Sequence, residues 1–338
     1  MVKKYFFITL LGLAFTAHAA WENSPYFDTS LLVDNQAVQK TLLTDDGFTK
    51  VTFSTSDDIE LVGLYKQVPQ AKGNVIFCGG FYPGKKEGMA SYYPYFTQNY
   101  NVLFFDARGH GESDGKFLSA LEEYGKYDYR DIIAAMDYVK SRSDKETLMF
   151  SICIGAFHTV RALEYLYDAD LLTDYNIAGL VIDSGVISLR KAMEIPAMHV
   201  REKVLPGLIA HELYGKTNKI TKKNARLSLP FCLAENTLIP LINGWIKFCE
   251  WRATDYEKYE DIFESIKKVT CPVFYTHGCK DEYSAVAEIK KLSALTKDAT
   301  CWFIEGRSSH TNNQLIHKHE YKKRLGEFVG KCFKERNY

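Results

Sequence analysis

The sequence predicts an α/β fold, with a mostly parallel central sheet flanked by helices and a helical cap insertion. Short continuous apolar runs recur along the chain, as expected of strands that are buried on both faces of a parallel sheet. These runs lie at residues 74–78, 101–105, 147–151, 178–182, 272–276 and 301–304. Helix-length segments separate most of them, and one long interval lacks such a run.

The first strands differ from the later ones. Residues 50–54 and 59–67 alternate apolar and polar side chains around the Asp57-Asp58 turn. This alternation predicts an antiparallel hairpin at one edge of the sheet.

The segments between the later strands have the helical period. Residues 128–142 place Ile132, Met136 and Val139 on one stripe, and residues 156–168 repeat the pattern. Alternating strands and helices predict right-handed crossovers, with helices on both faces of the sheet. In such sheets the ligand binds beyond the carboxyl ends of the strands.

Residues 187–265 contain no clear parallel strand and are predicted to form a helical cap over the strand ends. Large apolar side chains occur throughout this interval: Met193, Ile195, Met198, Leu208, Leu238, Ile242, Trp245, Phe248 and Trp251. The predicted core therefore comprises residues 21–186 and 266–338.

The first 20 residues have the features of a signal peptide. Lys3 and Lys4 precede an apolar run that ends near Ala17, and Ala17 and Ala19 supply the small residues that a signal peptidase requires. The run is short for a membrane span. We expect export to a bacterial-type periplasm or the exterior, after cleavage behind Ala19 or Ala20.

The charge balance and the cysteines restrict the partners. Lys plus Arg and Asp plus Glu each number 42 among the 338 residues. This balance favours neither nucleic acid nor anionic lipid as a partner. No cysteine lies near the expected cleavage site, so we expect no stable membrane anchor. The eight cysteines show no zinc-site spacing, so we expect no metal and no other cofactor.

An oxidising compartment would allow some cysteines to pair. Cys271 and Cys301 each begin an apolar run and are expected at the same end of neighbouring strands, while Cys232 and Cys249 lie in the predicted cap. These two pairs are candidate disulfides, with buried free thiols as the alternative.

The most informative stretch is Ser-Ile-Cys-Ile-Gly at residues 151–155. An apolar run leads to Cys153, and a helical pattern follows it. Small residues flank Cys153 two positions away on either side, as a sharp turn from strand to helix requires. This layout is a nucleophile elbow with a thiol at its centre.

Four motifs in order resemble the α/β-hydrolase superfamily, over roughly residues 50–335. The motifs are Cys-Gly-Gly-Phe at 78–81, Asp-Ala-Arg-Gly-His-Gly-Glu-Ser at 106–113, the elbow, and the paired turns at 277–281 and 306–310. The loops are most similar to those of capped esterases and lipases. The cysteine in place of the nucleophilic serine resembles dienelactone hydrolases.

The resemblance implies a triad of Cys153, His310 and Asp281, in the family's chain order. A thiol with an ordinary pKa of about 8.5 needs a neighbouring base or cation to attack well. His310 fills this role, and Asp281 orients its ring. Ser151 is an alternative nucleophile.

Other assignments follow from the same motifs. Asp183, Glu282 and Glu305 are alternatives to Asp281 as the acid. The backbone N–H groups of Phe81 and Ile154 are the implied oxyanion hole. Arg108 and His110 are expected to brace their own loop.

The resemblance implies a hydrolase that cleaves a carboxylic ester or thioester of a small-molecule acyl substrate through an acyl-enzyme. Two alternatives remain open. The same triad supports acyl transfer, because a thioester intermediate is open to amines, alcohols and thiols as well as water. A non-catalytic ligand-binding protein of the same fold is the other.

Overall fold

The computed structural model describes residues 35–80, 86–96, 99–115, 126–188, 236, 240, 244, 261–281, 283–306, 308 and 310–333. The predicted signal peptide and most of the predicted cap lie outside the described residues. Cys232 and Cys249 also lie outside them, so their pairing stays a prediction.

An eight-stranded sheet forms the centre of the molecule. Its strands are β1 (Thr49–Ser54), β2 (Glu60–Lys66), β3 (Gly73–Cys78), β4 (Tyr100–Phe105), β5 (Thr147–Ile152), β6 (Ile177–Asp183), β7 (Val273–Gly278) and β8 (Ala299–Ile304). The order in the sheet is β1-β2-β4-β3-β5-β6-β7-β8. β2 pairs antiparallel with both β1 and β4, and all other pairs are parallel.

The predicted fold class is confirmed, including the edge hairpin of β1 and β2. All residues of β3 and β5 are buried, whereas β1 alternates between exposed and half-buried positions. Burial on both faces explains why the central strands have continuous apolar sequences.

Helices cover both faces of the sheet. The helices are α1 (Asn35–Thr44), α2 (Tyr129–Lys140), α3 (Ile154–Asp168), α4 (Val286–Leu295), α5 (Asn313–Ile316) and α6 (Lys318–Cys332), with a 3₁₀ segment at Lys86–Tyr95. One apolar cluster includes side chains of α2, α3 and α4. The cluster on the opposite face includes side chains of α1, the 3₁₀ segment and α6.

Aromatic rings fill the second cluster beneath the central strands. Phe77 of β3 lies 4.7 Å from Phe104 of β4 and 4.8 Å from Phe150 of β5, measured between ring centroids. Burying one such side chain stabilises a protein by about 1.5–3 kcal/mol. This packing supports the strand end that leads to Cys153.

The chain leaves and rejoins the core beyond β6. The N–H of Ile262 donates a hydrogen bond to the carbonyl of Ile187 at 3.2 Å. The chain therefore leaves the core after Ile187 and returns to it at Ile262, which lies beside Ile187. The division into core and cap at residues 187 and 265 stays a prediction. Across the described ranges, no helix has the length and apolar character needed to cross a membrane.

The expected pairing of Cys271 with Cys301 is wrong. Cys301 lies opposite Tyr275 in the β7–β8 register, so the two cysteines are four residues out of step. Four strand residues span about 13 Å, which is too far for a disulfide. Both are free thiols, Cys271 buried and Cys301 exposed.

We expect iodoacetamide to modify Cys301 in the folded protein and to leave Cys78, Cys271 and Cys332 unmodified until the protein is denatured. Burial raises the pKa of each of these three thiols to about 12, which suppresses the reactive thiolate. Peptide mass spectrometry gives the rates, which should differ at least about tenfold. Recovery of a disulfide-linked Cys271–Cys301 peptide from the non-reduced protein would contradict this account.

Candidate active site

Cys153 stands at the turn between β5 and α3. Its φ is 54° and its ψ is −122°, a conformation that residues with a side chain rarely adopt. Such a conformation costs on the order of 1–3 kcal/mol and persists only when the surroundings hold it. The Cys153 N–H donates to the carbonyl of Asp183 at 3.1 Å, and its carbonyl accepts from the N–H of Val186 at 3.0 Å.

Gly155 allows α3 to begin close against β3. A Cβ atom at this position would lie 2.2 Å from the Cys78 carbonyl oxygen and 2.6 Å from that of Gly79. Real Cβ atoms do not approach backbone oxygens this closely, so the site needs glycine. The predicted elbow is therefore present as a backbone geometry.

Ser151 is not placed as a nucleophile. It is fully buried, and its hydroxyl donates a hydrogen bond to Oγ1 of Thr159 at 2.8 Å. Cys153 is partly exposed. It faces Gly80, where a Cβ atom would lie 3.2 Å from the Cβ of Cys153. A side chain larger than hydrogen at Gly80 would crowd the thiol.

His310 and Asp281 lie together, as predicted. Nδ1 of His310 hydrogen-bonds to Oδ2 of Asp281 at 2.8 Å, and the Asp281 carboxylate is fully buried. Oδ1 of Asp281 accepts the N–H groups of Tyr283 at 2.8 Å and Ser284 at 3.0 Å. These bonds fix the carboxylate, which in turn fixes the imidazole ring.

The other candidate acids are placed elsewhere or not described. Asp183 is buried and bonds to Tyr321, Asn313, Ser184 and Tyr92. Glu305 is exposed. Glu282 lies outside the described residues.

The imidazole of His310 also hydrogen-bonds to Cys153, and its pKa is raised to about 10. Burial lowers this pKa, but the negative charge of Cys153 and the hydrogen bonds to Asp281 and Cys153 outweigh burial. His310 therefore carries a proton at neutral pH. With Nδ1 engaged by Asp281, Nε2 is the nitrogen that faces the sulfur.

Half of the implied oxyanion hole is described. Ile154 is the first residue of α3, and the first four N–H groups of a helix have no acceptor within it. The positive end of the helix dipole adds to their attraction for an anion. Phe81 lies outside the described residues.

The Asp-Ala-Arg-Gly-His-Gly loop is braced as expected. Arg108 bonds bidentately to Asp57 at 2.9 and 3.1 Å and also to Asp131 at 2.7 Å. Nδ1 of His110 donates to the carbonyl oxygen of Arg108, within the same loop, at 3.0 Å. Both side chains therefore stabilise the loop they belong to.

Sequence reasoning missed a buried ion pair next to this loop. Nζ of Lys86 contacts Oδ2 of Asp106 and Oε2 of Glu112, each at 2.8 Å. Gly111 makes room, since a Cβ there would lie 2.2 Å from the Asp106 carboxylate. The pair joins the 3₁₀ segment to the end of β4, and no local pattern around Lys86 indicates its burial.

Tyr283 was also missed. Its ring packs against that of His310, with centroids 4.9 Å apart. The only signal was its position two residues after Asp281. The contact restricts rotation of the imidazole. Among the described residues, no group of His, Cys, Asp and Glu side chains is arranged to hold a metal ion.

The fold and the family match define an α/β-hydrolase. The model for the family described as serine aminopeptidase, S33, matches residues 69–306, and the chain belongs to this family. No curated protein matches the chain significantly.

Solved structures share the fold at low sequence identity. An esterase from Pyrococcus furiosus has 20% identity and a TM-score of 0.58, over 85% of this chain and 93% of its own. An esterase from Thermogutta terrifontis with bound malate has 16% identity and a TM-score of 0.53, over 84% and 99%. A bacterial membrane phospholipase A, described as a virulence factor, has 14% identity and a TM-score of 0.57, over 99% and 100%.

We expect NMR titration of labelled histidine to give a His310 pKa near 10 in the wild-type protein and a lower value in Cys153→Ala. Removing the sulfur removes the negative charge that stabilises the imidazolium. The raised pKa contributes stability that is fully present below pH 6.5 and is lost as the pH rises through about 10.

The matched control for this titration is Cys279→Ala, a thiol deletion in the turn before Asp281. It should leave the pKa of His310 unchanged. An equal His310 pKa in the wild-type protein and in Cys153→Ala would contradict the coupling of the two side chains.

Proposed function

We propose that the protein is an exported hydrolase that cleaves a carboxylic ester or thioester through Cys153, His310 and Asp281. The observation that carries this proposal is the position of the His310 imidazole. It is hydrogen-bonded to a buried carboxylate on one side and to the elbow thiol on the other. Membership of the hydrolase family supports the reaction type.

In the first half of the reaction, the Cys153 thiolate attacks the carbonyl carbon of the substrate. The oxyanion that forms is stabilised by the N–H of Ile154 and, in the proposed hole, by that of Phe81. When the carbon–oxygen or carbon–sulfur bond breaks, the His310 imidazolium donates its Nε2 proton to the leaving group. The products are an alcohol or thiol and a thioester on Cys153.

In the second half, the now neutral imidazole accepts a proton from water as the oxygen attacks the thioester carbon. The carbon–sulfur bond breaks, the acid is released, and the thiolate and imidazolium are restored. Asp281 keeps the Nδ1–H form of the ring throughout, so that Nε2 always faces the reacting atoms.

Acyl transfer is the second candidate, because the thioester is more open to amines and thiols than an oxygen ester is. It uses the same residues, with an acceptor in place of water. A non-catalytic ligand-binding role is less well supported. The ordered Asp281–His310 pair and the hydrogen bond from His310 to Cys153 have no evident use in ligand binding alone.

Export is proposed on the sequence of residues 1–20. The mass of the mature protein from its native host would test it, with cleavage after Ala19 or Ala20 as the expected result. A mature protein that retains Lys3 and Lys4 would contradict export by this route.

We expect a panel of chromogenic esters and thioesters of varied acyl length to be hydrolysed by the wild-type protein and not by Cys153→Ala. The loss in kcat/KM should be at least about 10³-fold, because the nucleophile is removed. Asp281→Asn should lose about 10²- to 10⁴-fold, because the imidazole is no longer held in the required tautomer.

Two controls make this result specific. Cys153→Ser places a poorer nucleophile in the same position and should also lose most activity. Ser151→Ala deletes a hydroxyl two residues away and should retain activity. Addition of an amine or alcohol acceptor separates transfer from hydrolysis by the product formed. Equal activity of the wild-type protein and Cys153→Ala would overturn the proposal.

A further inference from the structure

We propose that Asp183 and Ser184, which lie at and after the end of β6, form a positioning pair that sets the distance between the Cys153 thiol and the His310 ring. This inference rests on the proposed function, since it concerns the same two reacting groups. Neither residue touches the sulfur or the imidazole through a hydrogen bond among those found in the described residues. Asp183 acts on Cys153 through its main-chain carbonyl, and Ser184 acts on the loop of His310 through its hydroxyl.

Among the described residues, Asp183 is a carboxylate near the site that four side chains hydrogen-bond. It is fully buried and accepts from Tyr321 Oη at 2.6 Å, Asn313 Nδ2 at 3.0 Å, Ser184 Oγ at 3.0 Å and Tyr92 Oη at 3.2 Å. Burial raises the pKa of this carboxyl, and the four donors oppose that rise by stabilising the charged form. A carboxylate held in this way is a rigid reference point in the core.

The main chain of Asp183 and Ser184 hydrogen-bonds to Cys153 and to β7, the strand that precedes Asp281. The carbonyl of Asp183 accepts the N–H of Cys153 at 3.1 Å, which fixes one side of the elbow. The N–H of Ser184 donates to the carbonyl of Thr276 in β7 at 2.9 Å. β7 leads directly to the turn that carries Asp281.

The hydroxyl of Ser184 hydrogen-bonds to the loop that carries the proposed base, His310. It accepts the N–H of Thr311 at 3.0 Å and the side-chain amide of Asn313 at 3.2 Å, and it donates to Asp183. Thr311 is the residue directly after His310. One buried hydroxyl therefore joins the carboxylate behind the elbow to the loop that carries the imidazole.

The loop needs this support because its backbone is strained. Thr311 has a φ of 53° and Ser184 a φ of 51°, and residues other than glycine rarely adopt such values. Strained residues of this kind keep their conformation only where neighbouring groups hold them. For Thr311, the acceptor that holds the N–H is Ser184 Oγ.

The two ends of the connection explain its effect. The Asp183 carbonyl positions the thiol, and the adjacent Ser184 hydroxyl positions the base loop. Because Asp183 and Ser184 are adjacent, the same short segment of backbone holds both the residue that carries the sulfur and the loop that carries the ring. A shift of about 1 Å between reacting groups can cost roughly 10²-fold in rate.

The deciding variant is Ser184→Gly. Glycine accepts the positive φ without strain but lacks the hydroxyl. We expect kcat on the best ester of the panel to fall roughly 10- to 100-fold, with KM changed much less. The pKa of His310, measured by NMR, should fall, because the ring is no longer held against Asp281 and Cys153.

Asp170→Gly is the matched control. Asp170 also has a positive φ, 58°, but is exposed at the end of α3, away from the site. It should leave kcat and the His310 pKa unchanged. Asn313→Ala is a second variant, in case Ser184→Gly does not fold. It removes one bond to each member of the pair and should shift both readouts in the same direction by a smaller amount.

Ser184→Gly or Asn313→Ala protein that is folded by circular dichroism, with wild-type kcat and a wild-type His310 pKa, overturns the positioning role. If the wild-type protein hydrolyses no ester and Cys153 is unreactive, the proposed function fails instead. The NMR comparison still decides the positioning role in that case, because it does not depend on turnover.

Discussion

The close approach of α3 to β3 at Gly155 is the constraint on which the site depends. With no Cβ at this residue, the helix begins directly over the carbonyl groups of Cys78 and Gly79. Cys153, two residues before Gly155, then adopts a positive φ, and its side chain lies at the carboxyl edge of the sheet. Hydrogen bonds from β6 and its following turn hold it there. The aromatic packing under β3, β4 and β5 keeps these strand ends in place.

The electrostatics of the site follow from this placement. The Cys153 thiol lies at the N-terminus of α3, beside the imidazole of His310. His310 stays protonated because the sulfur and Asp281 together outweigh its burial.

Much of the fold is predictable from the sequence because a strand that is buried on both faces has a continuous apolar sequence. The continuous apolar runs marked each parallel strand, and the alternation around Asp57 and Asp58 marked the edge hairpin. The register between two strands has no comparable local sequence pattern. The expected pairing of Cys271 with Cys301 was wrong for this reason, since the offset between these residues is set by the register of β8 against β7.

The site was predictable where residues lie within one motif and less so where partners are distant in sequence. The elbow follows from local spacing, whereas the role of His310 follows from the family resemblance and from its place after the last apolar run. The choice between Asp281 and Asp183 does not, since both carboxylates follow a strand, and only their partners separate them. The burial of Lys86 has the same cause, because Asp106 lies 20 residues away.

If Cys153 is the nucleophile, the acyl group passes through a thioester on its sulfur, and this intermediate can be trapped. The protein is mixed with a chromogenic ester, quenched with acid within the first turnover, and digested for peptide mass spectrometry. The account predicts a mass increase equal to the acyl group on the peptide that contains Cys153, which hydroxylamine removes, as expected for a thioester. An acyl group on a serine peptide, or product formation by Cys153→Ala at the wild-type rate, would contradict it.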